Sequence, residues 1–352
     1  MGQATLSDTS AQVAPRDAQM AAFLATTPWQ GARVEPLAGD ASRRRYFRLF
    51  EGPSRSAILM DAPASQGEDV RPFVAVADYL GGLGFSAPEI LARDVAAGFL
   101  VLEDLGNDLF DQVCERAPEQ EKTLYSGAVD VLAKLAGAAP MAGLKPYEPV
   151  MVDLALSSYR WYGAAISGRD LTAEAAEAKS YFDPLIASLG RGRTTVLRDF
   201  HAQNLLWLSE RDGVARVGLL DFQDAMTGPA VYDLVSLLTD ARRDVPPAVR
   251  EAGIAQFGAA TGVGRLRLNR EFAICSVQRN LRILMIFARL SLHFGKPAYV
   301  DLIPRVWDHL MRDLKHPDLS DLARVVLRDL PPPTPDNLQI LRSKCASVPT
   351  LE

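Results

Sequence analysis

Apolar and polar positions follow two different periods along the chain. Up to about Gly106 the apolar residues come in short runs bounded by turn formers, at Val34 to Leu37, Arg45 to Phe50, Ala57 to Met60, Glu89 to Ala92 and Phe99 to Glu103. Such runs predict strands. An amphipathic helix is expected around Arg16 to Thr26, and a second from about Val70 to Leu80, stopped by Gly81-Gly82. From Asp108 onward the helical period dominates. It is broken by a strand near Thr194 to Leu197 and by a hairpin, Leu205 to Leu208 with Val214 to Leu220, turned at Asp212-Gly213. The tail after Leu330 opens Pro-Pro-Pro-Thr-Pro and predicts an extended, partly ordered arm. The expected class is α+β, with a small-sheet lobe over 1–106, a helical lobe over 107–330 and an arm over 331–352.

Composition narrows the function. The 352 residues, 48% hydrophobic, suffice for one or two cores. The net charge is 38 − 43 = −5 with no long block of one sign, which is not the electrostatic footprint of a nucleic-acid binder and favours a small-molecule partner. The most apolar helical run, Leu281 to Phe294, carries Arg282 and Arg289, so no membrane span or membrane partner is expected. The opening MGQATLSDTS lacks an apolar core, and Leu6 breaks the acylation pattern. Cys114, Cys275 and Cys345 are widely spaced and form no C-x-x-C pair, which suggests neither a disulfide framework nor a zinc site. A cytoplasmic location is expected.

The chemistry concentrates in Val196-Leu-Arg-Asp-Phe-His-Ala-Gln-Asn-Leu-Leu206 and Gly218-Leu-Leu-Asp-Phe-Gln-Asp224. If the two strands pair around Asp212-Gly213, the residue before the first and the residue after the second lie at one end of the hairpin. Asn204 and Asp221 then converge. An amide oxygen and a carboxylate together suit Mg²⁺, which takes few protein ligands and keeps phosphates and waters. Asp199 stands nearby to take a proton from an attacking hydroxyl, as phosphoryl transfer requires. Single Asp and Asn residues in loops often only cap turns. Three at this spacing, each flanked by strand residues, favour a site.

These motifs resemble the aminoglycoside phosphotransferase and choline kinase superfamily, over roughly residues 30 to 315. The resemblance implies the bilobal protein-kinase-like fold, ATP as phosphate donor, Asp199 as catalytic base, and Asn204 and Asp221 as magnesium ligands. It also implies that Asp233, in Gly228-Pro-Ala-Val-Tyr-Asp-Leu234, begins the helix buttressing the site, and that Val101-Leu-Glu-Asp-Leu-Gly106 is the hinge whose backbone, at Glu103 and Leu105, pairs with adenine. More narrowly, Leu37-Ala-Gly-Asp-Ala-Ser-Arg-Arg-Arg-Tyr-Phe-Arg48, Leu59-Met-Asp-Ala-Pro63, Gln278-Arg-Asn-Leu-Arg282 and Phe287-Ala-Arg-Leu290 resemble the anomeric N-acetylmuramate and N-acetylglucosamine kinases of bacterial cell-wall recycling, which phosphorylate the C1 hydroxyl.

Two departures from the superfamily pattern stand out. Leu197 replaces the usual histidine of the catalytic loop, a scaffold position. The third strand, Ala57 to Asp61, lacks the lysine expected to meet the ATP phosphates, and no lysine precedes Lys122. An arginine is expected instead, Arg44 or Arg45 first among Arg43, Arg44, Arg45 and Arg48. The preceding turn, with Gly39, Asp40 and Ser42, offers backbone N–H groups to phosphate. The alternative for these arginines is a solvated edge strand. On the substrate side the candidates are Asp233, Trp161, Gln278 and Arg279, the last two as amide-compatible donor and cation for an amino sugar. His201 has no second metal ligand at i+3 or i+4 and reads as loop scaffold. Gly82-Leu-Gly84 and Gly190-Arg-Gly192 lack the dinucleotide fingerprint. Competing readings are a kinase of an aminoglycoside or amino alcohol, and a nucleotide-binding pseudokinase.

Overall fold

The computed structural model describes residues 15–37, 43–189 and 193–348. They fall into two compact units, one drawn from Met1–Asp78 and Pro88–Leu105, the other from Tyr79–Ala87 and Gly106–Glu352.

The first unit holds helix α1 (Arg16–Ala25), strands β1 (Arg33–Pro36), β2 (Arg45–Glu51) and β3 (Arg55–Asp61), most of helix α2 (Arg71–Gly82), and strands β4 (Ile90–Asp94) and β5 (Phe99–Glu103). The strands form an antiparallel sheet in the order β1-β2-β3-β5-β4. β5, Phe-Leu-Val-Leu-Glu, is buried at every position but the last, as a continuous apolar run predicts for a strand covered on both faces. Phe23, Leu24 and Trp29 pack on Leu49, Ala57, Leu59, Phe99 and Val101. α2 buries Phe73, Val76, Ala77 and Leu80, the i, i+3, i+4, i+7 stripe of an amphipathic helix.

The second unit contains α3 (Phe110–Arg116), α4 (Glu121–Gly137), α5 (Glu148–Ser158), a π-helical turn (Tyr159–Ala164) leading into α6 (Ala165–Ser167), and α7 (Thr172–Ala187). Short strands follow: β6 (Arg193–Val196), β7 (Leu205–Trp207), β8 (Val217–Leu219) and β9 (Met226–Pro229). The remainder is α8 (Val231–Leu238), α9 (Pro247–Thr261), α10 (Arg265–Leu292), α11 (Ile303–Asp313), α12 (Ser320–Asp329) and α13 (Pro335–Ser343). α10 is buried without interruption from Phe272 to Leu281, and packs against α5, α8 and α11 as the central helix of this unit. Among the described residues no helix is long and apolar enough to cross a membrane.

Three sequence expectations are corrected. The hairpin's second strand begins at Val217 rather than Val214, because Gly213–Arg216 closes as a 3₁₀ turn. β9 was not expected; it pairs antiparallel with β6, Val196 facing Met226. The tail beyond Leu330 is not an extended arm. Thr334 accepts a hydrogen bond from the Asn337 N–H and Pro335 opens α13, so the proline cluster starts a helix. Beyond it Ala346 and Val348 donate to the Ser291 and Leu292 carbonyls, which seats the chain on α10.

Candidate active site

The site is built where β6 ends. Asp199 N–H donates to the Leu197 carbonyl at 2.9 Å, closing a three-residue turn around Arg198, whose φ is +72°. A turn of this γ type with positive φ is rare and strained, by about 1–3 kcal/mol for a residue with a side chain. Asp233, in the first turn of α8, holds it. Its Oδ2 accepts from the Leu197 N–H at 2.6 Å and its Oδ1 from the Arg198 N–H at 2.8 Å. Hydrogen bonds to a charged acceptor contribute about 1.5–3 kcal/mol each, so the pair outweighs the strain. From the other side Ser236 Oγ donates to the Arg198 carbonyl at 3.4 Å and accepts from Arg279 Nη2 at 2.8 Å.

The same turn presents Asp199, half-buried, as the next residue. Asn204 follows a 3₁₀ turn and donates its Nδ2 to the Asp199 carbonyl at 2.9 Å. β7 and β8 pair with Leu205 facing Leu219, and the Leu220 N–H donates to the Asn204 carbonyl at 2.9 Å. That register carries the chain to Asp221, exposed and at φ +56°, with Oδ2 3.5 Å from Asn204 Nδ2 and Oδ1 accepting from Gln223 Nε2 at 2.7 Å. With its Nδ2 engaged, Asn204 has Oδ1 to offer beside the Asp221 carboxylate. Among the described residues no group of three or more His, Cys, Asp or Glu is arranged to hold a metal. The donor set here is one amide oxygen and one carboxylate, which fits a cation that completes its shell with phosphates and water.

Burial pushes the Asp233 carboxyl up to about 6, aided by the Asp199 charge and opposed by the two amides and Arg279. His201 is buried and its affinity for a proton is lowered, first by burial. Its Nε2 lies 3.4 Å from Asn204 Nδ2 and 3.3 Å from Arg242 Nη1. Two donors facing one nitrogen assign it as an acceptor on a neutral ring, which props Asn204.

The other expected residues are placed as follows. Gly39, Asp40 and Ser42 lie outside the described residues. Arg44 pairs with Glu68 at 2.7 Å, both largely buried, while the more exposed Arg45 pairs with Asp61 at 2.6 Å and Asp17 at 3.0 Å. Glu103 ends β5 and gives its N–H to the Glu89 carbonyl at 2.8 Å; Leu105 is half-buried before Gly106. Trp161 stands partly exposed on the π-helical turn, with the Arg160 and Arg289 guanidiniums 5.5 and 5.7 Å from its ring.

Three substrate-side expectations do not match the structure. Gln278 is fully buried and donates to the Met151 carbonyl at 2.7 Å. Arg279 is buried against Ser236, and Asp233 faces backbone amides. Each lies buried inside the fold. Sequence reasoning missed Ser236, the strained Arg198 and the tyrosine pair Tyr147 and Tyr232, whose hydroxyls lie 3.2 Å apart. None carries a local sequence signal, because each acts through tertiary contacts.

The chain is similar to known proteins over most of its length. The phosphotransferase enzyme family matches residues 33–268. An N-acetylmuramate/N-acetylglucosamine kinase of Caulobacter vibrioides is 39% identical, covering 87% of this chain and 94% of the relative. A protein of the same name from Pseudomonas aeruginosa is 37% identical, covering 84% and 88%. Among solved structures, choline kinase LicA from Streptococcus pneumoniae superposes with a TM-score of 0.59 at 14% identity, covering 84% of this chain and 99% of that one. That likeness shows the protein-kinase-like fold, and with the family match and the close relatives it establishes that this chain belongs to the phosphotransferase enzyme family.

Proposed function

We propose that the chain is an ATP- and magnesium-dependent kinase that places phosphate on the C1 hydroxyl of N-acetylmuramate, N-acetylglucosamine or both, in the cytoplasm, as part of cell-wall recycling. It is a phosphotransferase acting on a hydroxyl group of a small molecule. The carrying observation is the Asp233-clamped turn, which fixes Asp199 beside the converged Asn204 and Asp221.

In this reading Asp199 accepts the proton as the sugar oxygen bonds to the γ-phosphorus and the bond to the β-phosphate oxygen breaks, releasing ADP. Asn204 and Asp221 would hold the metal, which supplies neutralisation of phosphate charge. An anomeric hydroxyl is more acidic than the other sugar hydroxyls, so a carboxylate base suffices. For the missing lysine the favoured replacement is Arg44, whose Nε pairs with Glu68 and whose planar fork suits phosphate oxygens. Arg45 divides its charge between Asp61 and Asp17. At the hinge, Glu103 has spent its N–H, which leaves the Leu105 N–H as the donor toward adenine.

The test is ADP release with ATP against a panel of amino sugars, aminoglycosides and amino alcohols. The amino sugars are expected to be the substrates. Turnover confined to aminoglycosides or amino alcohols would replace the substrate class and leave the phosphotransferase assignment standing.

A further inference from the structure

From Phe272 to Leu281 every residue of α10 is buried, and the first position to open is Arg282. Half-buried Ile286 and exposed Arg289 continue that stripe at helical spacing toward Trp161. α10 packs on α8, where Arg279 Nη2 donates to Ser236 Oγ at 2.8 Å, so one turn further on Arg282 comes alongside Tyr232, one turn before Ser236, and the two interact. Tyr232 precedes Asp233, the residue that clamps the catalytic turn, and its hydroxyl meets that of Tyr147 at 3.2 Å. The guanidinium therefore stands at the catalytic loop.

Arg279, one turn earlier and more deeply buried, meets Ser236. Elsewhere on α10, Arg267 pairs with Glu271 at 2.6 Å and Arg270 with Asp318 at 2.5 Å. Among the described residues Arg282 has no carboxylate within the 4.0 Å of an ion pair. Burial works against its proton and the Asp199 charge favours it, and a guanidinium keeps its charge at any working pH. A cation partly withdrawn from water beside neutral phenols is an incomplete ion pair. The Asp199 carboxylate cannot complete it, since it must stay open to receive a proton.

We propose that Arg282 is the receptor for a carboxylate on the acceptor sugar, and so decides how far the site prefers an acidic amino sugar to a neutral one. The proposal rests on the sugar-kinase reading. N-acetylmuramate differs from N-acetylglucosamine by a lactyl ether that carries one carboxylate. Arginine's planar fork binds a carboxylate through two hydrogen bonds, and a lysine cannot reproduce that geometry. The same cation repels the ammonium groups of aminoglycosides and the charged head of choline.

The experiment measures kcat/KM for both sugars in wild type, Arg282→Gln and Arg282→Lys. Arg282→Gln is expected to lower kcat/KM for N-acetylmuramate by about 10–100-fold, mainly through KM, while N-acetylglucosamine falls by at most about threefold. Arg282→Lys should recover part of the loss. An equal fall on both sugars would assign Arg282 to the transferred phosphate or to the loop, and no fall on either would remove it from the site; both overturn the proposal. A measurement on wild type needs no variant: the methyl ester of N-acetylmuramate lacks the charge and should lose at least about tenfold in kcat/KM against the free acid. Equal use of ester and acid overturns the proposal even if the variants fail to fold. Wild-type protein inactive on both sugars would instead remove the sugar-kinase reading and the proposal with it, so the two failures are told apart.

Discussion

Asp61 and Asp233 are both buried, at 0% and 2% exposure, yet they solve the cost of a buried carboxylate in opposite ways. Asp61, at the end of β3, meets two guanidiniums, Arg16 and Arg45, each at 2.6 Å. Asp233 meets two backbone N–H groups. Side-chain partners cancel a charge and tie surface arms to the sheet; amide partners set dihedral angles, here the positive φ of Arg198 one residue before Asp199, the proposed base. The first arrangement serves stability and the second serves geometry. The second leaves its carboxyl raised to about 6, chiefly by burial.

The largest effect is expected from the residue that the geometry presents. Asp199→Asn should keep the fold and nucleotide binding while lowering kcat by about 10²-fold or more, checked by steady-state kinetics beside a nucleotide titration. Near-normal turnover at saturating substrate would remove Asp199 as the base.

Next come the two buried aspartates. Asp233→Asn keeps the shape but can offer only one oxygen to two amides, so kcat should fall by about 10–100-fold at temperatures where the protein stays folded. Asp61→Asn leaves Arg16 without its carboxylate and Arg45 with Asp17 alone. It should cost about 3 kcal/mol of stability, seen as a lowered Tm, with kcat within about threefold. Equal losses of kcat in both variants would break the contrast between charge pairing and backbone clamping.

The pH dependence sharpens the contrast. The clamp needs ionised Asp233, whose carboxyl titrates at about 6 in the folded protein. Turnover should therefore decline as pH falls through about 6. Stability moves the other way in this respect. A carboxyl with a raised folded pKa takes up its proton in the folded state before the unfolded one, so between about 6 and the ordinary carboxylate range its protonation favours folding. Activity lost on acidification with no parallel drop in Tm is the expected pattern. Asp233→Asn should remove that acid limb, and a limb that persists would assign it to another group.

How much of this was legible in the sequence follows from the range of the interactions. The strands of the first unit and the convergence of Asn204 with Asp221 depend on local patterning and hairpin register, and both can be read from residues within one hairpin of each other. β9 escaped because Met226-Thr-Gly-Pro229 is short and looks like a turn. Along α10 the polar residues Gln278, Arg279 and Arg282 share one motif, but helical phase alone could not tell which faces inward, since the helix is buried on nearly all sides and has no exposed stripe to set the phase. The proline cluster before α13 read as a breaker, whereas Thr334 and Pro335 form a cap and first turn.

The smallest expected effect concerns the paired arginines of the first unit. Arg44→Ala should raise the KM for ATP by about tenfold and lower kcat, because its contact strengthens as phosphate charge develops. Arg45→Ala, on an exposed pair already shared between two carboxylates, should change KM by no more than about twofold. A larger effect at Arg45 would exchange their roles.

The central claim, phosphate transfer to an anomeric hydroxyl through Asp199, is tested most directly by following ADP release and the reducing end of the sugar in one reaction. A 1-phosphate cannot open to an aldehyde, so reducing-sugar reactivity should vanish mole for mole with ADP formed. A product that remains fully reducing while ADP accumulates would place the phosphate on another hydroxyl and contradict the anomeric assignment.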